Sequence, residues 1–580
     1  MKILLIYPYF LDPRVSEDDI RAIPIGLYYI GAVLKENNYD VEILDLHDEF
    51  KETKKLEIVL KEKSPHVIGF SIVNANRWGA IDISRTAKRL LPETKIVFGG
   101  IGATFLWEHL MKNFKEIDFI VLGEGEYSFL ELLKCFETNN TERIKDIKGL
   151  VYRSGDGFIK TGEPEMIMDI DKLPIPSKYF IYQHVSSSRG CPSNCSFCGS
   201  PAFWGRKVRF HSPDYFVEQI RYLYEKGVSF FYVSDDTFTI RKERVIEICK
   251  KIIKSNLDIK WFAISRVNFV DEEILYWMRK AGCIQISYGV ESGSEKIRKI
   301  LNKDIKTEDI KKAFYLTKKY GILPRAYFIY GSPGENKKTI QETIDLIKVI
   351  KPLSIIFYIL DIFPGTALYE DMKKRMKVND DIWLKRVEDI MYFETDNELD
   401  VDDILFFGKI LKNEFYKNLP EFVKSIELIE RDDLCKEHAE FLSRLGMTFS
   451  HGDYSKIGQI SNKEEIAKSL FLESLEYFPN ERAYLGLGIL SQKEKDYVRS
   501  IEILEEGLRY FPLSEHLNMC LGISFMNVGR FEDALRCFLK FQDSEQMLEY
   551  SIACYKFLQD SEGEALAEKR LRDIRGRKVS

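Results

Sequence analysis

The stretch SSSRGCPSNCSFCGSP (186–201) gathers three of the chain's 10 cysteines, Cys191, Cys195 and Cys198, into the spacing C-x3-C-x2-C. The serine, glycine, proline and asparagine around them read as a loop. Three explanations compete. Free cysteine is a small apolar residue that often fills cores, but this composition does not suit a core. Structural zinc closes with four ligands, commonly in C-x2-C pairs; no second pair is near, which leaves His184 or His211 as the fourth. A 4Fe–4S cluster on three thiolates leaves one iron open to another ligand, and a set that is one cysteine short fits this best.

The surroundings of the loop decide the fold. From residue 182 six apolar runs appear, YQHVSSS, SFFYVSDD, IKWFAIS, CIQISYGVE, PRAYFIYG and SIIFYILDIFPG, each followed by a helical segment such as RKERVIEICKKIIKS or NKKTIQETIDLIKVIK. Six βα units predict a parallel sheet curved into a partial (βα)6 barrel over 182–375. Reactive residues of such sheets cluster at the carboxyl ends of strands. Those ends hold the cysteine loop, Asp235–Asp236, Arg266, Glu291, GSPGE (331–335) and FPGT (363–366). Upstream, residues 1–137 alternate buried-type strands (KILLIYP, VEILDL, VIGFSIV, KIVFGGI, FIVLGEGE) with amphipathic segments, which predicts a doubly wound α/β domain. GLVYRSGDGFIKT (149–161) reads as a hairpin and DIDKLPIPSKY (169–179) as a linker, together 138–181.

Downstream of 376 strands give way to helices, a helical extension over 376–430 and then a repeat over 431–580. Leu487–Gly488 and Leu521–Gly522 lie 34 residues apart, EYFP (476–479) and RYFP (509–512) 33 apart, and Ala534 and Phe538 complete a unit. This all-α helical-repeat C-terminal region resembles tetratricopeptide repeats, with a degenerate copy near Leu445–Gly446. Cys520, Cys537 and Cys554 are spaced by half that repeat and read as inward packing positions.

A net charge of −6 argues against a nucleic-acid surface, and no run approaches ~18 apolar residues, so no membrane span is expected. MKILLIYPYF reads as a first strand rather than a signal peptide. Cysteines spread thinly over 580 residues point to a reducing, cytoplasmic setting.

With its C-x3-C-x2-C loop after the first strand, the segment 182–375 resembles the radical S-adenosylmethionine (SAM) enzymes. The resemblance implies a 4Fe–4S cluster on Cys191, Cys195 and Cys198, SAM on the open iron, and a reductant such as flavodoxin or ferredoxin. It also implies SAM-binding roles for Phe197, for Glu291 in YGVESGSEK (288–296), and for Gly331, Ser332 and Gly334 in YFIYGSPGE (327–335). Arg266 would meet the methionine carboxylate. Residues 1–137 resemble the cobalamin-binding domain of one large subgroup, through segments 23–45, 98–105 and 118–126. That likeness places Gly26, Ser71, Gly99, Gly100, Gly123 and Glu124 toward cobalamin. DLHDEF (45–50) is not taken as the D-x-H-x-x-G signature of a cobalt-ligating histidine, because Phe50 replaces the glycine and the segment follows the second strand.

The expected function is therefore a cobalamin-dependent radical SAM methyltransferase acting on an unactivated carbon of a small-molecule or carrier-bound substrate. One alternative is radical cyclisation, oxidation or C–C bond formation without methyl transfer. Another is an adaptor whose repeats bind a protein partner and whose cluster is structural or sensing.

Overall fold

The computed structural model describes residues 1–11, 24–47, 53–396 and 398–579. They divide into two compact units, one of residues 1–316 with 324–412 and one of 317–323 with 413–580.

The larger unit contains two sheets. In the first, β1 (Lys2–Tyr7), β2 (Asp40–Asp45), β3 (Val67–Ser71), β4 (Lys95–Gly99) and β5 (Phe119–Val121) are parallel in the order β2-β1-β3-β4-β5. Consecutive side chains point to opposite faces of a strand, and both faces are buried. Ile3, Leu5, Val67 and Val97 enter one core with helices α1 (Ile25–Glu36) and α5 (Glu126–Glu137). Leu4, Ile6, Ile68 and Phe98 enter another with α2 (Thr53–Lys63), α3 (Arg77–Leu90) and α4 (Gly100–Asn113). The chain reverses direction across the sheet between β1 and β3, the crevice where such sheets bind ligands. The hairpin β6 (Leu150–Ser154) and β7 (Gly157–Lys160) continues this sheet antiparallel to β5.

The second sheet is parallel, with strands in chain order: β8 (His184–Val185), β11 (Phe230–Val233), β12 (Lys260–Ser265), β13 (Cys283–Glu291), β14 (Leu323–Tyr330) and β15 (Ser354–Ile359). This is the sequential (βα)6 arrangement. A short ribbon, β9 (Ser188–Arg189) against β10 (Arg209–Phe210), brackets the cysteine loop. The two helices expected from sequence are Lys242–Lys254 and Lys337–Ile350, the latter started by an Asn336–Thr339 capping box.

Beyond 376 the chain is not immediately helical. Two 3-10 turns, Asp380–Leu384 and Tyr392–Thr395, precede a helix that begins only at Val401. Between and beside these turns the chain is held by Arg77, fully buried, whose guanidinium donates to the carbonyls of Trp383 (3.4 Å), Lys385 (3.4 Å), Val387 (2.8 Å) and Glu388 (3.1 Å). Carbonyls engaged by a side chain are drawn away from the i→i−4 ladder a helix requires.

In the smaller unit eight helices run from Cys435–Ser450 to Ser561–Val579, each packed on the next. Alternate helices also touch: Cys435–Ser450 with Glu481–Lys493, and the latter with Glu515–Asn527. That is the contact pattern of stacked helix pairs. The repeated Leu-Gly has a steric reason, since a Cβ at Gly522 would lie 2.3 Å from the Phe538 ring. No helix among the described residues is long and apolar enough to cross a membrane.

Candidate functional site

The cysteine loop leaves β8 and is held at both ends by the acidic pair after β11. Asp235, 1% exposed, accepts from the backbone N–H of Ser187 (2.6 Å) and Ser188 (3.1 Å) and from the hydroxyls of Ser186 (3.2 Å), Ser187 (2.5 Å) and Ser188 (2.8 Å). Asp236 accepts from the Ser200 hydroxyl at 2.6 Å, and burial holds its carboxyl above the usual range. Arg244 donates to the carbonyls of Ser187 (2.8 Å) and His211 (2.8 Å). The three thiols lie between these anchors. Cys191 and Cys195 are buried, and the N–H of Cys198 donates to the Cys195 carbonyl at 3.2 Å. Burial, with the charges of Asp236 and the other two cysteines, pushes the Cys198 thiol up to about 12.

The histidines that a zinc site would need are engaged elsewhere. His211 has Nδ1 3.0 Å from Asp171 and Nε2 3.1 Å from the Tyr29 hydroxyl; His184 has Nδ1 2.9 Å from the Ser234 hydroxyl. No group of three or more His, Cys, Asp or Glu side chains among the described residues is set to grip a single metal ion.

Of the other strand-end residues, Arg266 reaches the loop directly. Arg266 Nη1 lies 3.8 Å from the Cys195 sulfur and Nη2 donates to the Asp304 carbonyl at 2.9 Å, while its buried Nε has no hydrogen-bond partner. Glu291 ends β13 in the left-handed region (φ +65°), and its Oε1 meets Lys303 Nζ at 2.6 Å with both side chains buried. Gly331 and Gly334 also have positive φ (+77° and +70°). Between them Ser332 is fully buried and its hydroxyl has no partner. Glu335 Oε2 accepts from the N–H of Gly331 (2.5 Å) and Ser332 (3.2 Å), and burial pushes its carboxyl up to about 7. Sequence reasoning missed Lys303, which carries no motif, and the bracing roles of Asp235 and Glu335, whose positions it had noted without an account of their bonds.

Two cavities adjoin. One of about 330 Å³ opens at the carboxyl ends of the first sheet, and Gly26, Ser71, Gly99, Gly100, Gly123 and Glu124 all lie on its wall. Gly100 has φ +88°, and a Cβ there would stand 2.7 Å from the Ile72 carbonyl oxygen, so only glycine suits this bend. Glu124 is not a free carboxylate: it accepts from Arg189, from Arg209 (2.5 Å) and from the Ile167 N–H (2.7 Å). Arg189 also pairs with Glu126 at 2.6 Å and lies over the rings of Tyr29 (5.0 Å) and Trp204 (5.4 Å). This buried cluster ties the loop after β5 to a residue two positions before Cys191. The second cavity, about 500 Å³, is walled by Val73–Ala75, Ile101 and Phe105 from the first sheet's side and by Phe197, Gly199 and Tyr358–Asp361 from the second's. Ile101 borders both cavities. Of DLHDEF, residues 48–50 lie outside the described residues; the His47 ring lies 4.6 Å from that of Phe10, tilted by 42°.

The residues fit the expected groups. Three thiols on a loop anchored at both ends suit a cluster; the orphaned Nε of Arg266, whose Nη1 lies beside Cys195, suits a polar, charged ligand, as does the unpaired Ser332 hydroxyl just after β14. The glycine-walled cavity suits a bulky group that must approach the backbone closely.

Two family models match, "Radical SAM superfamily" over residues 185–347 and "B12 binding domain" over residues 17–133. An uncharacterized methyltransferase of Pyrococcus horikoshii is 32% identical over 389 residues, 64% of this chain and 83% of that protein. An anaerobic magnesium-protoporphyrin IX monomethyl ester cyclase of Cereibacter sphaeroides is 30% identical over 371 residues, 61% of this chain and 60% of that protein. Among solved structures, the cobalamin-dependent SAM radical enzyme OxsB with aqua-cobalamin bound shares the fold (TM-score 0.56, 16% identity, 96% of this chain and 84% of that one).

Proposed function

The chain belongs to the radical SAM superfamily, in the group with a B12-binding domain ahead of the catalytic sheet, and from that premise we propose that it methylates an unactivated carbon of its substrate. The observation that carries this reading is the 500 Å³ cavity, whose walls come from the carboxyl ends of both sheets. A substrate there would face the cysteine loop on one side and the B12-binding domain on the other. When bound, the cluster with SAM supplies a 5′-deoxyadenosyl radical and cobalamin supplies the methyl group.

This chain's residues have distinct tasks in the scheme. Cys191, Cys195 and Cys198 hold the cluster, and Asp235, Asp236 and Arg244 fix the loop that presents them. Lys303 fixes Glu291 through Oε1, orienting the carboxylate to accept from ribose hydroxyls of SAM. Arg266 and Ser332 offer polar groups to the same ligand, and Phe197 covers it beside the last cysteine. Phe105, Ile329 and Phe363 line the cavity with apolar surface that keeps water from a radical. Gly26, Ser71, Gly99, Gly100 and Gly123 clear the wall for cobalamin, and Glu124 holds Arg189 and Arg209 in place at its edge.

A second reading, radical cyclisation without methyl transfer, is favoured by the similarity to the Cereibacter cyclase. The test incubates anaerobically reconstituted protein with dithionite, hydroxocobalamin, methyl-labelled SAM and a metabolite extract of its source cells. Label carried into a product together with 5′-deoxyadenosine supports methyl transfer. 5′-Deoxyadenosine with an altered but unlabelled product supports cyclisation.

A further inference from the structure

The stretch SEKIRKILNKDIK (294–306) carries five basic residues and two acidic ones, in a chain whose net charge is −6. Two of the five turn inward: Arg298 donates to the Ser292 carbonyl at 2.8 Å, and Lys303 holds Glu291. Lys296 and Lys299 stand exposed on the helix Glu295–Ile300, with Ile300 39% exposed beside them. This helix borders the cysteine loop. The Leu301 carbonyl accepts from the Ser196 N–H at 3.0 Å, and Asn302 Nδ2 donates to the Asn194 carbonyl at 2.5 Å. From beyond the loop Arg206 Nε donates to the Pro192 carbonyl at 3.1 Å, and Lys207 next to it is exposed. Asn194, the exposed residue between Cys191 and Cys195, therefore has basic neighbours from two separate parts of the chain. Lys207, Lys296 and Lys299 pair with no carboxylate among the described residues. Cations gathered without counter-charges repel one another, and such a patch raises the local concentration of an anionic partner and speeds its arrival.

We propose that this face, formed by Asn194, Ile300, Arg206, Lys207, Lys296 and Lys299, docks an acidic one-electron carrier protein of the flavodoxin or ferredoxin class. The inference rests on the radical SAM assignment and holds whether the product is methylated or cyclised. Reduction of the cluster needs an electron from outside it, and Asn194 is the immediate neighbour of Cys195, so a carrier seated here stands one residue from a cluster thiolate. Electron-transfer partners meet through small, transient faces. An exposed isoleucine among unpaired cations suits such an encounter, because charge steers and orients the partner while a small apolar contact lets it leave. On contact one electron passes from the reduced centre of the carrier to the cluster; no bond to this chain forms or breaks, and the oxidised carrier departs.

The test compares the parent with the double variant Lys207→Glu and Lys299→Glu, and with Lys115→Glu, which makes the same change of charge at an exposed lysine ahead of β5. Binding of an acidic flavodoxin and of an acidic ferredoxin to the reconstituted full chain is measured by calorimetry, and 5′-deoxyadenosine formation is timed with each reduced carrier and, separately, with dithionite. The double variant should bind the carrier about tenfold more weakly and need about tenfold more of it for half its maximal rate. Its iron content and its rate with dithionite, a small reductant that needs no docking face, should match the parent's, and Lys115→Glu should match the parent throughout. Raising the salt from about 0.05 to about 0.5 M should narrow the gap between parent and double variant. A double variant that binds and accepts electrons from the carrier within twofold of the parent overturns the assignment. So does an equal loss in Lys115→Glu, an equal loss with dithionite, or a parent that binds neither carrier. A parent that forms no 5′-deoxyadenosine even with dithionite overturns the radical SAM assignment and this inference with it.

Discussion

Two regions of this molecule each hold a set of three cysteines, and the two sets sit in different surroundings. Cys520, Cys537 and Cys554 sit on successive helices of the smaller unit, in a single apolar core with Leu504, Leu517 and Phe538. Cys191, Cys195 and Cys198 sit on a loop whose ends are hydrogen-bonded to Asp235 and Asp236, with a guanidinium 3.8 Å from one sulfur. Thiol acidity does not set Cys198 apart from the helical set, for burial pushes Cys520, Cys537 and Cys554 up to about 11 and Cys198 to about 12. The polar frame does. A set of ligands needs anchors that fix it and an open side that admits a guest, whereas packing positions need only apolar neighbours.

The sharpest way to break this contrast is to remove one cysteine from each set. Cys195→Ala should abolish iron retention, from roughly four irons per chain to near none, and with it 5′-deoxyadenosine formation. Cys537→Ala should leave iron unchanged and cost about 1 kcal/mol of stability, read by denaturant unfolding. Equal iron loss in both would erase the distinction. Next in size is Lys303→Met, which strands the buried Glu291 carboxylate. Removing one partner of a buried pair costs about 3–5 kcal/mol, so both the melting temperature and SAM affinity by equilibrium dialysis should fall. Asp235→Ala removes the acceptor for the loop's serines and should cost about 2–3 kcal/mol; reconstituted iron should drop sharply while Asp235→Asn keeps more of it.

The smallest effect concerns pH. Burial raises Glu335 from 4.5 to about 7, so the folded chain holds this proton more tightly than the unfolded one. Its contribution to stability is complete below about pH 4.5 and is lost as the pH rises to about 7. Denaturation midpoints measured between pH 4 and 8 should show this fall in the parent and a flatter profile in Glu335→Gln.

Most of the architecture was legible because the central strands of the first sheet are buried on both faces and those of the second, alternating buried and half-buried positions, are apolar throughout, so both write apolar runs into the sequence. The Leu-Gly repeat was legible because close helix packing demands a missing side chain at Gly522. The loop cysteines announced themselves by residue type and spacing. What stayed hidden depends on distance in space rather than along the chain. Lys303 reaches Glu291 from twelve positions downstream with no motif around it. Arg77 binds carbonyls of residues 383–388, some three hundred positions away, within a stretch expected to be helical that holds 3-10 turns instead. The hairpin at 149–161 was visible as a hairpin, but its place at the edge of the first sheet follows from pairing with β5, which no local pattern encodes.

The most direct test of the account is electron paramagnetic resonance of the anaerobically reconstituted, dithionite-reduced chain before and after addition of SAM. The expected result is a 4Fe–4S signal that changes on adding SAM and is missing from Cys195→Ala. A chain that binds zinc and no iron under these conditions, or a cluster signal indifferent to saturating SAM, would contradict it.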